Sequence, residues 1–132
     1  MKSKTERTLP SDDNIAELIE TVIEEYGMMY CEFFIRWLLP GSRIIWTITG
    51  LIKASADEKV VVNRHEARQL LLLMAECKVL KESSSCYWVY PNYVRQHMKH
   101  KLLENEVLNR FKNEDLKNII HRIRKEQEAR NA

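Results

Sequence analysis

The run "NRHEARQLLLLMAECKVLKE", Asn63–Glu82, sets four leucines, Leu70–Leu73, in succession inside a segment of helical character. Successive helix residues point about 100° apart, so four in a row span a full turn and no single stripe hides them all. Such a helix has to be covered on more than one side, and at least one leucine meets something other than the main core. Either a flanking helix of the same chain covers it, which is the simpler expectation, or a partner does, which makes Leu72 and Leu73 a docking patch.

The ends of this helix are legible. Asn63 stands three residues before Glu66, the spacing at which an N-cap side chain and an N3 carboxylate satisfy each other's backbone donors, so the helix is expected to start at Arg64. Its inward stripe is then Ala67, Leu70, Leu71, Met74 and Cys77. Before it, a turn at Asp57, Glu58 and Lys59 leads into a short strand expected at Val60–Val62. After it, Val79–Glu82 and Cys86–Tyr90 are two aromatic and β-branched runs around Ser83-Ser84-Ser85, which predicts a hairpin.

The remaining chain predicts mostly helix. Residues 1–10 read as a flexible leader. In "SDDNIAELIETVIEEYG", Ile15, Leu18, Ile19, Val22, Ile23 and Tyr26 recur at helical spacing, with Ser11, Asp12 and Asp13 as caps and Gly27 as the stop. Glu17, Glu20, Glu24 and Glu25 form its solvated outer face. "MMYCEFFIRWLLPG" predicts a short buried helix with Tyr30, Phe33, Phe34, Trp37 and Leu38 inward, and Trp37, Trp46 and Trp88 are all expected in the core. Ser42 is expected to cap a third helix carrying Ile44, Ile45, Ile48, Leu51 and Ile52, although its β-branched content argues for strand. Pro91-Asn92 opens a helical region with Val94, Met98, Leu102 and Tyr93 inward. Asn113-Glu114-Asp115 starts a last helix bearing Leu116, Ile119, Ile120 and Ile123, beyond which apolar periodicity stops and a frayed basic tail, 124–132, is expected. With 132 residues and 45% apolar content, one domain over 11–123 is the expectation. A charged fraction of 30% with only three glycines and three prolines argues against disorder.

This order of elements resembles the winged-helix superfamily, and Phe33–Tyr90 is most similar to DEP-type or related protein-docking winged helices. The resemblance rests on the aromatic-rich "FFIRWLLPG", the capped "NRHEARQLLLLMAECKVLKE" and the "CYWVYP" return strand. It implies a mainly α fold with a small β-hairpin, extended by N- and C-terminal helices. It departs from the family at Cys77-Lys78, where such folds usually place glycine. A non-glycine residue in a left-handed cap costs roughly 1 kcal/mol.

Catalytic chemistry finds no footing in the sequence. Gly27, Gly41 and Gly50 are isolated, so no phosphate loop exists, and Cys31, Cys77 and Cys86 accompany no base and orienter. His97 and His100 share a helix face without further ligands at metal spacing, so neither a metal nor another cofactor is expected. No small-molecule substrate is expected either. No apolar stretch approaches the roughly 20 residues of a membrane span, and "MKSKTERTLPSDD" has no apolar core of a secretory signal. An odd cysteine number fits a reducing intracellular compartment, cytoplasm or nucleus.

Two non-enzymatic readings remain. Net charge is +2, but residues 1–58 carry −4 and residues 59–132 carry +6, which permits a polyanion partner without requiring one. As a protein-docking or assembly module, possible within a complex that handles nucleic acid, the chain would use Arg68, Leu72 and Leu73 with Tyr87 and Trp88 of the hairpin. As a DNA-binding transcriptional regulator it would read bases through Arg64, Arg68 and Gln69, with Lys78, Lys81, Arg122, Arg124 and Lys125 on phosphates. Leu72 and Glu76 in the middle of the outward face weigh against the second. A homodimer through the terminal helices is compatible with either.

Overall fold

The computed structural model describes residues 8–41, 43–84, 86–101 and 105–131. Helix α1, Asp12–Tyr26, starts at a reciprocal cap: Ser11 Oγ accepts from the Asn14 N–H, and the Asn14 side chain accepts from the Ser11 N–H, both at 3.0 Å. It stops at Gly27, whose φ of +91° lies where side-chain-bearing residues are strained. Ile15, Leu18, Ile19 and Val22 are buried, and Ile23 and Tyr26 are half-buried. The chain reaches α1 through Pro10, which is buried, so the expected leader is already packed at its end; its residues 1–7 lie outside the described residues, as do Ser42, Ser85 and Leu102.

Helix α2, Met28–Phe33, runs on into a π-helical stretch, Phe34–Leu38. The wider ladder, in which the Leu39 N–H donates to Phe34 O at 2.9 Å, turns less per residue than an α-helix. Leu38 therefore stays on the face of Phe34 while Trp37 swings off it. Tyr30, Phe33, Phe34 and Leu38 are buried, but Trp37 is 53% exposed, which corrects its expected place in the core.

The segment read as the start of a third helix is instead strand β1, Ile45–Trp46, and helix α3, Ile48–Asp57, begins only after it. Thr47, not Ser42, is the cap, its Oγ1 accepting from the Gly50 N–H at 2.9 Å. The β-branched preference of Ile44 and Ile45 prevails over their helical spacing because a strand edge is available to pair with. That edge belongs to β3, Trp88–Val89, whose other edge takes β2, Lys81–Glu82, giving an antiparallel sheet in the order β1-β3-β2. Val60–Val62 pairs with neither outer edge of this sheet, and the strand expected there is irregular chain.

Helix α4, Arg64–Glu76, carries the expected reciprocal cap, with Glu66 N–H to Asn63 Oδ1 at 2.7 Å and Asn63 N–H to Glu66 Oε1 at 3.0 Å. Ala67, Leu70, Leu71, Met74 and Cys77 are all buried. The chain leaves α4 through Lys78 at φ +70°, so lysine occupies the left-handed position where glycine would be unstrained. Val79 and Leu80, expected in the hairpin, both donate their N–H to Met74 O and belong to this wrap; the strands begin later and are shorter than expected.

Helices α5, Asn92–Lys101, and α6, Asn105–Leu108, follow, burying Val94, Met98, Val107 and Leu108. Helix α7, Glu114–Asn131, buries Leu116, Ile119, Ile120 and Ile123. Residues 124–131 of the tail expected to fray are regular helix. Periodic apolar burial does end at Ile123, but Arg36 of the π-helical stretch then takes over, its Nη2 donating to Glu126 Oε2 at 3.0 Å and to Glu32 Oε2 at 3.0 Å. Arg122 joins the same cluster through Glu32 Oε1 at 3.1 Å. Glu126 is held below the usual carboxylate range by its hydrogen bond to Arg36. The result is a mainly helical fold with a small three-stranded antiparallel sheet and one continuous apolar core. Among the described residues no helix is long and apolar enough to cross a membrane.

Candidate functional site

The leucine quartet divides. Leu70 and Leu71 are 0% and 1% exposed in the core, whereas Leu72 and Leu73 are only half-buried. Helix α4 packs on α3, α1 and β2, and where it lies beside α1 the two leave an open groove of about 550 Å³. Its apolar floor is Leu72, Leu73 and Ala75 of α4 with Tyr26 of α1. Its rim is acidic, with Glu25 from α1, Glu76 from α4 and Glu82 from β2, and Thr21 and Gln69 as the neutral polar members.

Tyr26 fixes how α1 meets α4. Its hydroxyl donates to Glu66 O at 3.1 Å, and burial, followed by the charges of Glu66 and Glu25, raises its pKa and keeps that proton in place. Beyond Thr21 the surface continues into a second depression of about 370 Å³ along α1, between Glu17, Glu20 and Glu24, with Arg110 also in its lining. Glu20 accepts from the Lys112 N–H at 2.8 Å, and Asp13 pairs with Arg110 at 2.8 Å. Among the described residues, Glu17, Glu24, Glu25, Glu76 and Glu82 meet no cation. The face is therefore oily at its base and negative around it.

Of the residues expected to dock a partner, Leu72 and Leu73 are brought together in this groove. Arg68 is exposed one turn before Leu72, at the margin and not in the lining. Tyr87 is half-buried. Trp88 is 0% exposed, which removes it from any contact surface: facing Trp46 across the β1–β3 pair, it belongs to the core. Among the described residues neither indole N–H finds an acceptor.

The residues expected to touch nucleic acid are not gathered on one face. Arg64 is exposed and donates to Thr49 Oγ1 at 3.4 Å, towards α3. Gln69 sits among the carboxylates of the groove. Lys78 holds the left-handed turn, and Lys81 lies 5.6 Å above the Tyr93 ring. Arg122 is committed to Glu32, and with Arg124 and Lys125 it lies on α7, away from α4. Phosphate binding requires several convergent cations without competing carboxylates, whereas the only arginines and lysines that α4 exposes are Arg64 and Arg68, and the groove beside it is lined by Glu25, Glu76 and Glu82.

The remaining reactive groups are quiet. Burial pushes the Cys31 thiol up to about 12 and the Cys77 thiol up to about 11, so both stay protonated and weakly nucleophilic at neutral pH. No disulfide joins the three cysteines. His97 Nε2 lies 3.3 Å from Pro10 O, and among the described residues no group of His, Cys and carboxylates converges as metal ligands would.

The acidic residues of α1 were legible individually but not as part of a site. Their helical spacing gives a solvated face, and only the packing of α1 against α4 and β2 brings Glu25 beside Glu76 and Glu82. No protein-family profile, no curated protein sequence and no solved structure matches this chain.

Proposed function

We propose that this chain is a winged-helix-type, non-enzymatic interaction module of an intracellular complex in a reducing compartment, and that it docks its partner along the outer side of α4. The winged-helix reading is supported by the succession α2, β1, α3, α4, β2, β3 with β3 central in the sheet. The observation that carries the docking reading is the split of the quartet, with Leu72 and Leu73 left partly exposed on the floor of a groove while Leu70 and Leu71 are enclosed. Leucines in a groove with an arginine at its margin make a surface that gains free energy by excluding water against a polypeptide.

The competing function is a DNA-binding regulator, favoured by the exposed row of Arg64 and Arg68, four residues apart on one helix side. The two separate in one experiment on the full chain and its Leu72→Asp and Arg68→Ala variants. The docking module gives partner capture that weakens only modestly with salt, because the apolar floor carries it, and that fails in Leu72→Asp. Duplex binding that weakens steeply with salt and is lost in Arg68→Ala would overturn this reading in favour of the regulator.

A further inference from the structure

We infer that the α1–α4 groove selects a cationic amphipathic segment of a partner protein, with leucine-like side chains seated on Leu72 and Leu73 and lysines or arginines on its other side meeting Glu25, Glu76 and Glu82. This inference rests on the docking reading above and adds the chemistry of the occupant.

Charge complementarity supplies the argument. Glu25, Glu76 and Glu82 line the groove beside its apolar floor without a cationic partner among the described residues, and beyond Thr21 the acidic surface continues through Glu24 and Glu17 to where Arg110, paired with Asp12 and Asp13, lines it. The whole chain carries +2, so its overall field repels a basic segment and the attraction has to be local to this face. Seating an acidic or neutral segment here would exclude water from these carboxylates without pairing them, whereas lysine or arginine at the rim compensates that loss. Leu72, Leu73 and Tyr26 supply the apolar contact that a purely electrostatic encounter lacks.

The openness of the groove fits a polypeptide better than a small ligand. From Gln69 to Glu76 its α4 wall spans about 10 Å at 1.5 Å per residue, two turns of a helix laid alongside. The last helix of a second copy, α7, does not offer a matching segment. It has turned Leu116, Ile119, Ile120 and Ile123 into its own core, which leaves cations without oil on the open side. Nucleic acid brings phosphates to carboxylates and is repelled.

The test uses the full chain and three labelled synthetic helices of one amphipathic pattern, built from leucine with lysine, with glutamine or with glutamate, titrated by fluorescence anisotropy. The leucine–lysine helix is expected to bind about tenfold or more tighter than the leucine–glutamine one, with the leucine–glutamate helix weakest. Glu76→Lys combined with Glu82→Lys should reverse that order, and Leu73→Ser should weaken binding of all three. Both acidic positions are exposed and Leu73 is half-buried, so a thermal melt suffices to verify folding. If the leucine–glutamine helix binds as tightly as the lysine one and the double reversal changes nothing, while Leu73→Ser still weakens it, charge selection is wrong and groove docking stands. Lysine-helix binding indifferent to Leu73→Ser, or no binding of any helix, sinks both. Self-association of the chain abolished by the double reversal, or displacement of the lysine helix by duplex DNA, assigns the groove to a different occupant and overturns the inference.

Discussion

Alanine substitution along Leu70–Leu73 puts the division of the quartet to a quantitative test. Replacing leucine by alanine removes an isopropyl group, worth about 0.8 kcal/mol per carbon when it leaves a fully buried site. At Leu70 and Leu71, 0% and 1% exposed, the void has walls of core side chains on every side, and its cost adds to the transfer loss for a total of about 3 kcal/mol each. At Leu72 and Leu73 part of the group already meets water and the void opens into the groove, so no closed cavity forms and the cost falls to about 1.5 kcal/mol. Urea unfolding followed by circular dichroism measures all four, with an unchanged slope required for the comparison to hold. In a thermal scan the Leu70 variant should melt roughly 10 °C below the parent and the Leu72 variant a few degrees below. A loss at Leu72 or Leu73 as large as that at Leu70 would mean that the groove is closed in solution, and the site argument would fail with it. The same pair of half-buried variants should lose partner capture while remaining folded, a combination that core damage does not produce.

Asn63→Ala removes one half of the reciprocal cap on α4 and should cost about 1 kcal/mol in urea unfolding; a neutral result would mean that the cap adds nothing to the fold. Lys78→Gly relieves the left-handed φ of +70° and should leave stability unchanged or raise it by up to about 1 kcal/mol, and a destabilised variant would refute the strain. Alkaline pH should unfold the protein. Burial raises the Cys31 thiol from 9.0 to about 12 and the Tyr30 hydroxyl from 10.0 to about 12, so the folded state keeps protons that the unfolded chain gives up. That contribution is complete below pH 9 and is lost as pH rises towards 12; urea midpoints should fall through that window, less steeply in Cys31→Ala, and a flat profile would contradict it. Arg36→Gln unties the last turns of α7 from α2, and amide exchange at 124–131 should quicken while the core around Ile119 and Ile120 keeps its protection; unchanged exchange at 124–131 in the variant would show that the ion cluster holds nothing.

Caps, stops and apolar periods act within a few residues, and they determine what the sequence alone makes legible: α1 from Ser11 to Gly27, α4 from Asn63, the buried stripe from Ala67 to Cys77, and the inward row of α7. Where two local signals conflict, the decision passes to distant partners. Ile44 and Ile45 have helical spacing and strand propensity together, and pairing with β3 draws Ile45 into strand β1 and leaves Ile44 outside any helix, its carbonyl accepting from the Tyr90 N–H. Trp37 has the spacing of a core residue, but the π-helical stretch that contains it moves it to the surface, while α7 persists past its last buried isoleucine because Arg36, far away in sequence, binds Glu126. The candidate site follows the same division. Four adjacent leucines dictate that some apolar surface of α4 lies off the core, a consequence of helix geometry alone. Which two remain open, and that three carboxylates from α1, α4 and β2 ring them, depends on how those elements pack, because side chains more than a turn apart in sequence meet only through the tertiary fold.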